Sequence, residues 1–467
     1  MKVLAFVILT IFIMSGIVPS FAQSSPGFTN PVNISNTSSD AQTPYLIASN
    51  DGVFTLWLET TSGKTDVFFS KSSDGGSTFD NPINLSKNIT GQSGYTQFAQ
   101  SGKDVYVVWQ TSLSGTAYVY LTKSSDGGTS FGKPVMISDN TKLAAFPQVA
   151  VSDNHVYFSW LEKSDNNSTN VVFSKSDDKA VSIGAPLYMT HNLGNSGIPK
   201  LVASGNQVSL AWEDNSKGNY DAFLSKSDDY GASFHLPVDM SVSTGQSGTP
   251  EIIISKDNVY AVWMDDTSGV YDILFAKSTD GGKTFGAPVN ISNQKADSGY
   301  PQFAVNGNII YVVWTQTISN INYDIFFAKS TNNGDTFDAP INISNNSGAS
   351  GWPKIASDGT IYISWVDSTP GRFDVFITKS SDGGVTFDNS TDVSNSAAES
   401  YESQMAALNN VVYLTWQEGN KGSNHTIVFS KSTTFVPEFG PLASIALLVS
   451  LIAIIGISSR SRLKLNL

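Results

Sequence analysis

The sequence predicts an all-β fold: an eight-bladed β-propeller of four-stranded antiparallel blades, closed by the N-terminal strand and followed by a C-terminal transmembrane helix. Three observations carry that expectation. Trp57, Trp109, Trp160, Trp212, Trp263, Trp314, Trp365 and Trp416 recur every 51 or 52 residues. Each closes a β-branched and aromatic run, such as Val105-Tyr106-Val107-Val108-Trp109, which reads as a strand. Residues 28–435 divide into eight such periods, and self-similarity at this spacing marks a repeat architecture.

Within a repeat the strands come in a fixed order. A short strand, Tyr300–Val305 for example, leads through a tight turn at Asn306-Gly307-Asn308 into the tryptophan strand. A third strand covers Asp324–Ser330 and a fourth covers Phe337–Ser344. Four antiparallel strands in about 40–50 residues, repeated radially, make a propeller blade. The last repeat holds three strands only, ending in Thr426–Ser432, while the first is preceded by a spare fourth strand, Phe28–Ser35. That spare strand closely copies Phe79–Ser86, and pairing it with the last repeat completes eight blades and covers an open edge.

The turn between third and fourth strands repeats as Ser-x-Asp-x-Gly-x-Thr-Phe. It is complete at Ser72–Phe79, Ser278–Phe285 and Ser380–Phe387. Ser124–Phe131 and Ser227–Phe234 carry Ser for Thr, and Ser330–Phe337 carries Asn332 for Asp. Ser176–Ile183 keeps Asp178 but lacks the glycine and the aromatic, and the eighth copy stops at Ser432-Thr433-Thr434-Phe435. The series resembles the Asp-box (BNR) repeat of the sialidase-like β-propeller family. Its chemistry is structural: the acid caps backbone N–H groups, glycine supplies a left-handed turn, and the aromatic packs inward. Asp74, Asp126, Asp229, Asp280 and Asp382 are therefore expected to serve folding. The resemblance places them on the face away from an active site. It also implies exo-sialidase chemistry, in which three arginines hold a substrate carboxylate with planar, bidentate forks. Residues 28–435 contain a single arginine, Arg372, so this activity is not expected.

Both termini read as addresses. Residues 1–22 have a signal-peptide pattern, with an apolar run and small residues at Ser20 and Ala22, an uncleaved anchor being the alternative. Residues 23–27 form a linker to the propeller, 28–435. Pro437-Glu438-Phe439-Gly440, within the segment 436–440, resembles the PEFG-type sorting signal of archaeal surface proteins. An apolar helix at 441–458 and a basic tail at 459–467 follow it. The resemblance implies cleavage near the motif and transfer to a lipid; a plain membrane anchor is the other version. Either way the propeller is expected outside the cell, anchored to its surface. Eleven Asn-x-Ser/Thr sequons, among them Asn33, Asn84, Asn290 and Asn342, are candidate glycan acceptors there.

Composition excludes several functions. The chain has no cysteine and four scattered histidines, which removes thiolate chemistry and any zinc-like ligand spacing. Four of its 27 basic residues lie in the terminal segments, leaving 23 against 40 acids over residues 23–440, a net charge of −17. Such a surface repels phosphate backbones, so nucleic acid is not an expected partner.

Strand alternation puts the second-to-third-strand loops and the inter-blade connections on one face, and the Ser-x-Asp turns on the other. The first set is longer and more varied, as functional loops are. Two residues past the tryptophans stand Glu59, Glu162, Asp214, Asp265, Asp367 and Glu418, with Thr111 and Gln316 in the other two repeats. These six acids are expected to ring the channel mouth, with the aromatics Tyr300 and Trp352 at its rim. Acids beside aromatics suit a polyhydroxylated or cationic ligand, and calcium is the one cofactor such a ring could take. The alternative is that each acid satisfies local turn amides. Two functions follow: a surface binding or scaffold module for a glycan or protein ligand, or a glycoside hydrolase using two carboxylates.

Overall fold

The computed structural model describes residues 27–432 other than 166, 192, 193, 294 and 320, and every regular element in it is a β-strand. The strands form eight four-stranded antiparallel sheets. Blades I to VIII begin with the inner strands Asp40–Ser49, Gln92–Ser101, Ala144–Ser152, Lys200–Ser204, Ser247–Ser255, Ser298–Asn306, Ser350–Ser357 and Ser400–Leu408. The expected signal peptide, sorting motif, transmembrane helix and basic tail lie outside the described residues.

The tryptophan strand is the second of each blade and is buried along almost its whole length, because neighbouring blades cover both faces of the sheet. This explains why these strands read as continuous apolar runs rather than alternating ones. The eight periodic tryptophans are at most 1% exposed. Several stack on an aromatic of the third strand, as Trp109 does on Tyr120 at 5.9 Å and Trp314 on Phe326 at 6.1 Å. Such rings each remove on the order of 200 Å² from water.

The apolar core is likewise distributed in eight clusters, each shared by two consecutive blades. The cluster of Tyr106 and Val108 with Phe158 and Trp160 joins blades II and III. That of Trp57 and Val53 with Tyr413 and Phe429 joins blade I to blade VIII. The ring is therefore closed by the same kind of interface that separates every other pair. Its covalent ends meet within blade VIII, where Val32 pairs with Phe429 and Asn33 with Val428, and Phe28 bridges Ser432. The N-terminal strand supplies the missing outer strand, and Phe28 is buried against Trp416 and Ile377.

The Ser-x-Asp turns staple each of blades I to VII to the one before it. Asp74 accepts the Ser77 and Thr78 N–H groups at 2.9 Å and the Thr78 hydroxyl at 2.7 Å, while Ser72 Oγ accepts the Gly76 N–H at 2.7 Å. Bonds from the Thr78 backbone and hydroxyl hold the Asp74 carboxyl well below its ordinary pKa. Asp126, Asp280 and Asp382 are lowered in the same way, and Asp229 falls to about 2 under the bonds from Ser233. Gly76 has φ +81°, and a Cβ there would meet Phe429 of the preceding blade at 2.6 Å. The turn's own aromatic then packs edge-on against that same ring, Phe79 on Phe429 at 4.8 Å, as Phe387 packs on Phe327 at 4.9 Å. Lysines on the preceding third strand complete the staple, Lys431 Nζ donating to Gly75 O at 2.6 Å and Lys329 Nζ to Gly383 O at 3.0 Å. The copy in blade III departs in sequence but not in geometry. Asp178 still accepts the Val181 and Ser182 N–H groups, and Ala180 takes the left-handed position at φ 61°. There the preceding strand offers Leu121 where five other blades offer phenylalanine, and Ala180 and Ile183 pack on its cluster.

Candidate functional site

The inner strand of each blade starts regularly and then breaks. In seven of the eight blades its pairing slips by a bulge, for example between Gly299 and Gln302 or between Gly351 and Lys354. At the break one residue takes a left-handed backbone: Thr43, Tyr95, Phe146, Thr249, Tyr300, Trp352 and Glu402, all with φ between 47° and 54°. Ile198 occupies the same place in blade IV, where the strand itself starts only at Lys200. Proline follows in six blades, at Pro44, Pro147, Pro199, Pro250, Pro301 and Pro353. It has no N–H to lose where the ladder is interrupted. Left-handed threonine, tryptophan and phenylalanine each cost about 1–3 kcal/mol. Such strain is retained where the surroundings enforce it. The preceding blade does so here: Thr249 N–H donates to Glu213 Oε2 at 2.9 Å, and Thr43 N–H to Gln417 Oε1 at 3.2 Å.

The bulge turns these side chains toward the axis. Tyr95, Tyr300 and Trp352 are 55%, 59% and 50% exposed, in a fold whose other large aromatics are mostly buried. Tyr95 also leans on Phe146, with ring centroids 4.2 Å apart. Beneath this rim two cavities open. The larger, about 660 Å³, is walled by blades VII, VIII, I and II, with Tyr95, Trp352, Lys354, Glu402 and Gln404 among its lining. The smaller, about 270 Å³, is walled by blades IV to VII, with Lys200, Glu213, Glu251, Tyr300 and Gln302. Trp352 and Lys354 belong to both. Lining drawn from four blades at once places both cavities at the propeller axis.

Charge at the mouth is sparse and specific. Lys200 Nζ pairs with Glu251 Oε1 at 2.7 Å. Burial lowers the Lys354 pKa, opposed by the through-space pull of Glu251 and Glu402. Burial raises the Glu402 pKa, opposed by a bond from Thr43 N–H and by the charges of His425 and Lys354.

The aromatics Tyr300 and Trp352 thus stand at the rim, but the six acids do not form its wall. Glu59, Glu162, Asp214, Asp265 and Asp367 are at most 5% exposed and Glu418 is half-buried. None of the six lines either cavity. Each is occupied where it stands. Trp57 Nε1 and Thr37 Oγ1 donate to Glu59, and Trp416 Nε1 donates to Glu418 at 3.2 Å. Asp214 accepts from Ser196 Oγ at 2.7 Å and Asp265 from Ser247 Oγ at 2.7 Å, and each also caps the backbone N–H two residues on. Asp367 accepts from Trp365 Nε1, Ser350, Asn346 and the Thr369 N–H. Burial alone would raise the Asp265 and Asp367 pKa values, yet these bonds outweigh it and both are lowered. Glu162 takes the Tyr188 hydroxyl and pairs with Lys142 at 3.2 Å. The physical reason is parity: two residues past the tryptophan returns to the tryptophan's own side of the sheet, within reach of its indole N–H. The calcium expectation loses its basis with the ring. Among the described residues no group of three or more His, Asp or Glu is placed to hold a metal ion.

No protein-family model matches the sequence, and no curated protein matches it either. Solved structures do. The chain is similar to a protein of unknown function from Dyadobacter fermentans, at TM-score 0.43 and 16% identity, covering 79% of this chain and 100% of that one. It is similar to an ulvan lyase bound to a sulfated GlcA–Rha ligand, at TM-score 0.48 and 10% identity, covering 71% and 90%. It is similar to Trypanosoma rangeli sialidase in complex with sialic acid, at TM-score 0.40 and 10% identity, covering 92% and 62%.

The residues that sequence reasoning passed over are those one step from the ones it chose. Glu213 and Gln417 lie one residue past their tryptophans, and they hold the neighbouring bulge. Lys200, Glu251 and Lys354 lie in the inner strands, where Tyr45 and several glutamines occupy the equivalent positions, and Glu402 takes the left-handed place that Trp352 holds in blade VII. The signal available was variation at a fixed place in the repeat. Arg372 is absent from both cavity walls and is engaged with buried Asp374 at 3.1 Å.

Proposed function

We propose that this protein is a cell-surface propeller that binds glycans at its axial mouth, acting as a binding or scaffold module. The observation that carries the reading is the set of exposed aromatics, Tyr95, Tyr300 and Trp352, held on strained backbone above a polar wall. An aromatic face packs on the C–H face of a sugar ring, and amides, lysines and carboxylates below it bond the hydroxyls. The Ser-x-Asp turns support kinship with Asp-box, sialidase-like propellers. The signal-peptide and PEFG-type patterns support display outside the cell, anchored by the C-terminal helix or a lipid. Glycan-array screening followed by calorimetry tests the binding. Trp352→Ala is expected to weaken a glycan hit about tenfold, as loss of roughly 1.4 kcal/mol requires. Capture of a protein partner with no glycan response would move the function to protein recognition. Mass spectrometry of the native C-terminus tests the anchor, with an end near Pro437–Gly440 expected for sorting and an intact Leu467 expected for a plain membrane helix.

A second reading, glycoside hydrolysis, rests on one residue. Glu402 lines the larger cavity, and its raised pKa is what a general acid needs. Release of reducing ends from a bound glycan, lost in Glu402→Gln, would establish it over simple binding.

A further inference from the structure

The mouth carries one cation that the protein leaves without a partner. Lys200 is paired with Glu251, but the Lys354 ammonium makes no hydrogen bond or ion pair with any described residue. Glu251 and Glu402 act on it only through space, beyond the 4.0 Å of a salt bridge. Half-buried in the cavity wall, that ammonium is left to solvent or to a ligand to satisfy, and an anionic group on a ligand would bond it more strongly than water does. The position of Lys354 adds direction. It sits in the wall shared by both cavities, two residues from Trp352, whose exposed ring stands in that same shared wall. A ligand that fills both cavities must therefore cross Trp352 and pass Lys354 on its way.

We propose, building on the glycan reading above, that the mouth takes an acidic oligosaccharide laid across Trp352, with one sugar's carboxylate or sulfate ester paired to the Lys354 ammonium. The two cavities act as separate subsites, the larger beside Tyr95 and the smaller beside Tyr300. Because the domain as a whole is strongly acidic, an anionic chain is repelled at long range. Selection for it then depends on short-range pairing at this one cation.

The test is calorimetry on the full chain with three matched sets of oligosaccharides, from one to six sugars: neutral, uronic-acid and sulfated. Acidic chains are expected to bind about tenfold or more tighter than neutral chains of equal length. Affinity should rise until both cavities are filled and then level off. Lys354→Met should bring the acidic chain down to or below the neutral one, while Lys354→Arg retains the preference. Unchanged melting temperatures in both variants show that each has folded. The uronic-acid and sulfated arms tell a carboxylate from a sulfate ester as the group held. Equal affinity for neutral and acidic chains, with Trp352→Ala still weakening both, overturns this inference and leaves the glycan reading standing. No binding by any set overturns both.

Discussion

The two ends of the propeller are built on the same period and use it in opposite ways. At the Ser-x-Asp end the residues repeat and so do their partners: Asp74, Asp126, Asp280 and Asp382 each accept a backbone N–H four residues on and the hydroxyl of the residue that bears it. At the mouth end the backbone repeats but the side chains do not, and one left-handed position carries threonine, tyrosine, phenylalanine, tryptophan and glutamate in different blades. Conserving a side chain with its contacts serves closure of the ring. On the proposed reading, a strained backbone that is kept while its side chain changes serves a surface that meets something different at each point. Repetition alone therefore does not mark function in a repeat fold, and the buried acids from Glu59 to Glu418 show the error of supposing that it does.

That contrast predicts where damage is felt. The largest effect should come from deleting residues 28–35, which uncovers the edge of Thr426–Lys431 and empties the place of Phe28. A loss of several kcal/mol or outright failure to fold is expected by thermal melting. An unchanged melting temperature would mean that the ring does not need its N-terminal strand. Next comes Phe387→Ala, which removes the ring packed on Phe327 between blades VI and VII. It should cost about 3 kcal/mol with ligand affinity preserved.

Blade VII offers a test with a pH sign. Burial, with Asp392 nearby, pushes Asp374 up to about 7, against the pull of Arg372. A carboxyl whose folded pKa is raised favours the folded state while protonated. Its contribution is present below the unfolded value near 4 and is lost as pH rises towards 7. Blade VI avoids this with Asn342, whose amide donates to Asp324 Oδ2 at 2.7 Å. Asp392→Asn should copy that arrangement and stabilise the protein at pH 8 by on the order of 2 kcal/mol, with little gain at pH 4. Equal gains at both pH values would refute the acid–acid account.

Asp280→Ala, at the repeating end, should cost about 1 kcal/mol and leave ligand affinity as it was. The turn acids, unlike Asp374, have depressed pKa values, so their contribution is full above the unfolded pKa near 4. It is lost as pH falls below that value. The wild-type protein should therefore lose stability on acidification below about pH 4, and Asp280→Ala should lose less.

Much of the fold was legible because its strongest determinants are local and recur. A tryptophan at the end of a β-branched run marks each second strand, and Phe28–Ser35 could be matched to its siblings residue by residue. The mouth was half legible. Tyr300 and Trp352 stand before prolines, and that pair of residues announces a break in a strand. Lys354 and Glu402 announce nothing, since a single deviation in one repeat acquires meaning only when the bulges bring four blades around one cavity. The third Ser-x-Asp turn failed in the other direction: its lost glycine reads as decay, but Leu121 in the preceding blade makes room for Ala180.

The most direct test of the contrast is Trp352→Gly, with melting temperature and glycan affinity measured on the same sample. Glycine relieves the left-handed strain at φ 52°, and an exposed ring contributes little to folding. The account predicts opposite movements, a gain of about 1 kcal/mol in stability and a loss of tenfold or more in affinity. Lower stability with unchanged affinity would contradict it, because the strained aromatic would then serve the fold and not the ligand.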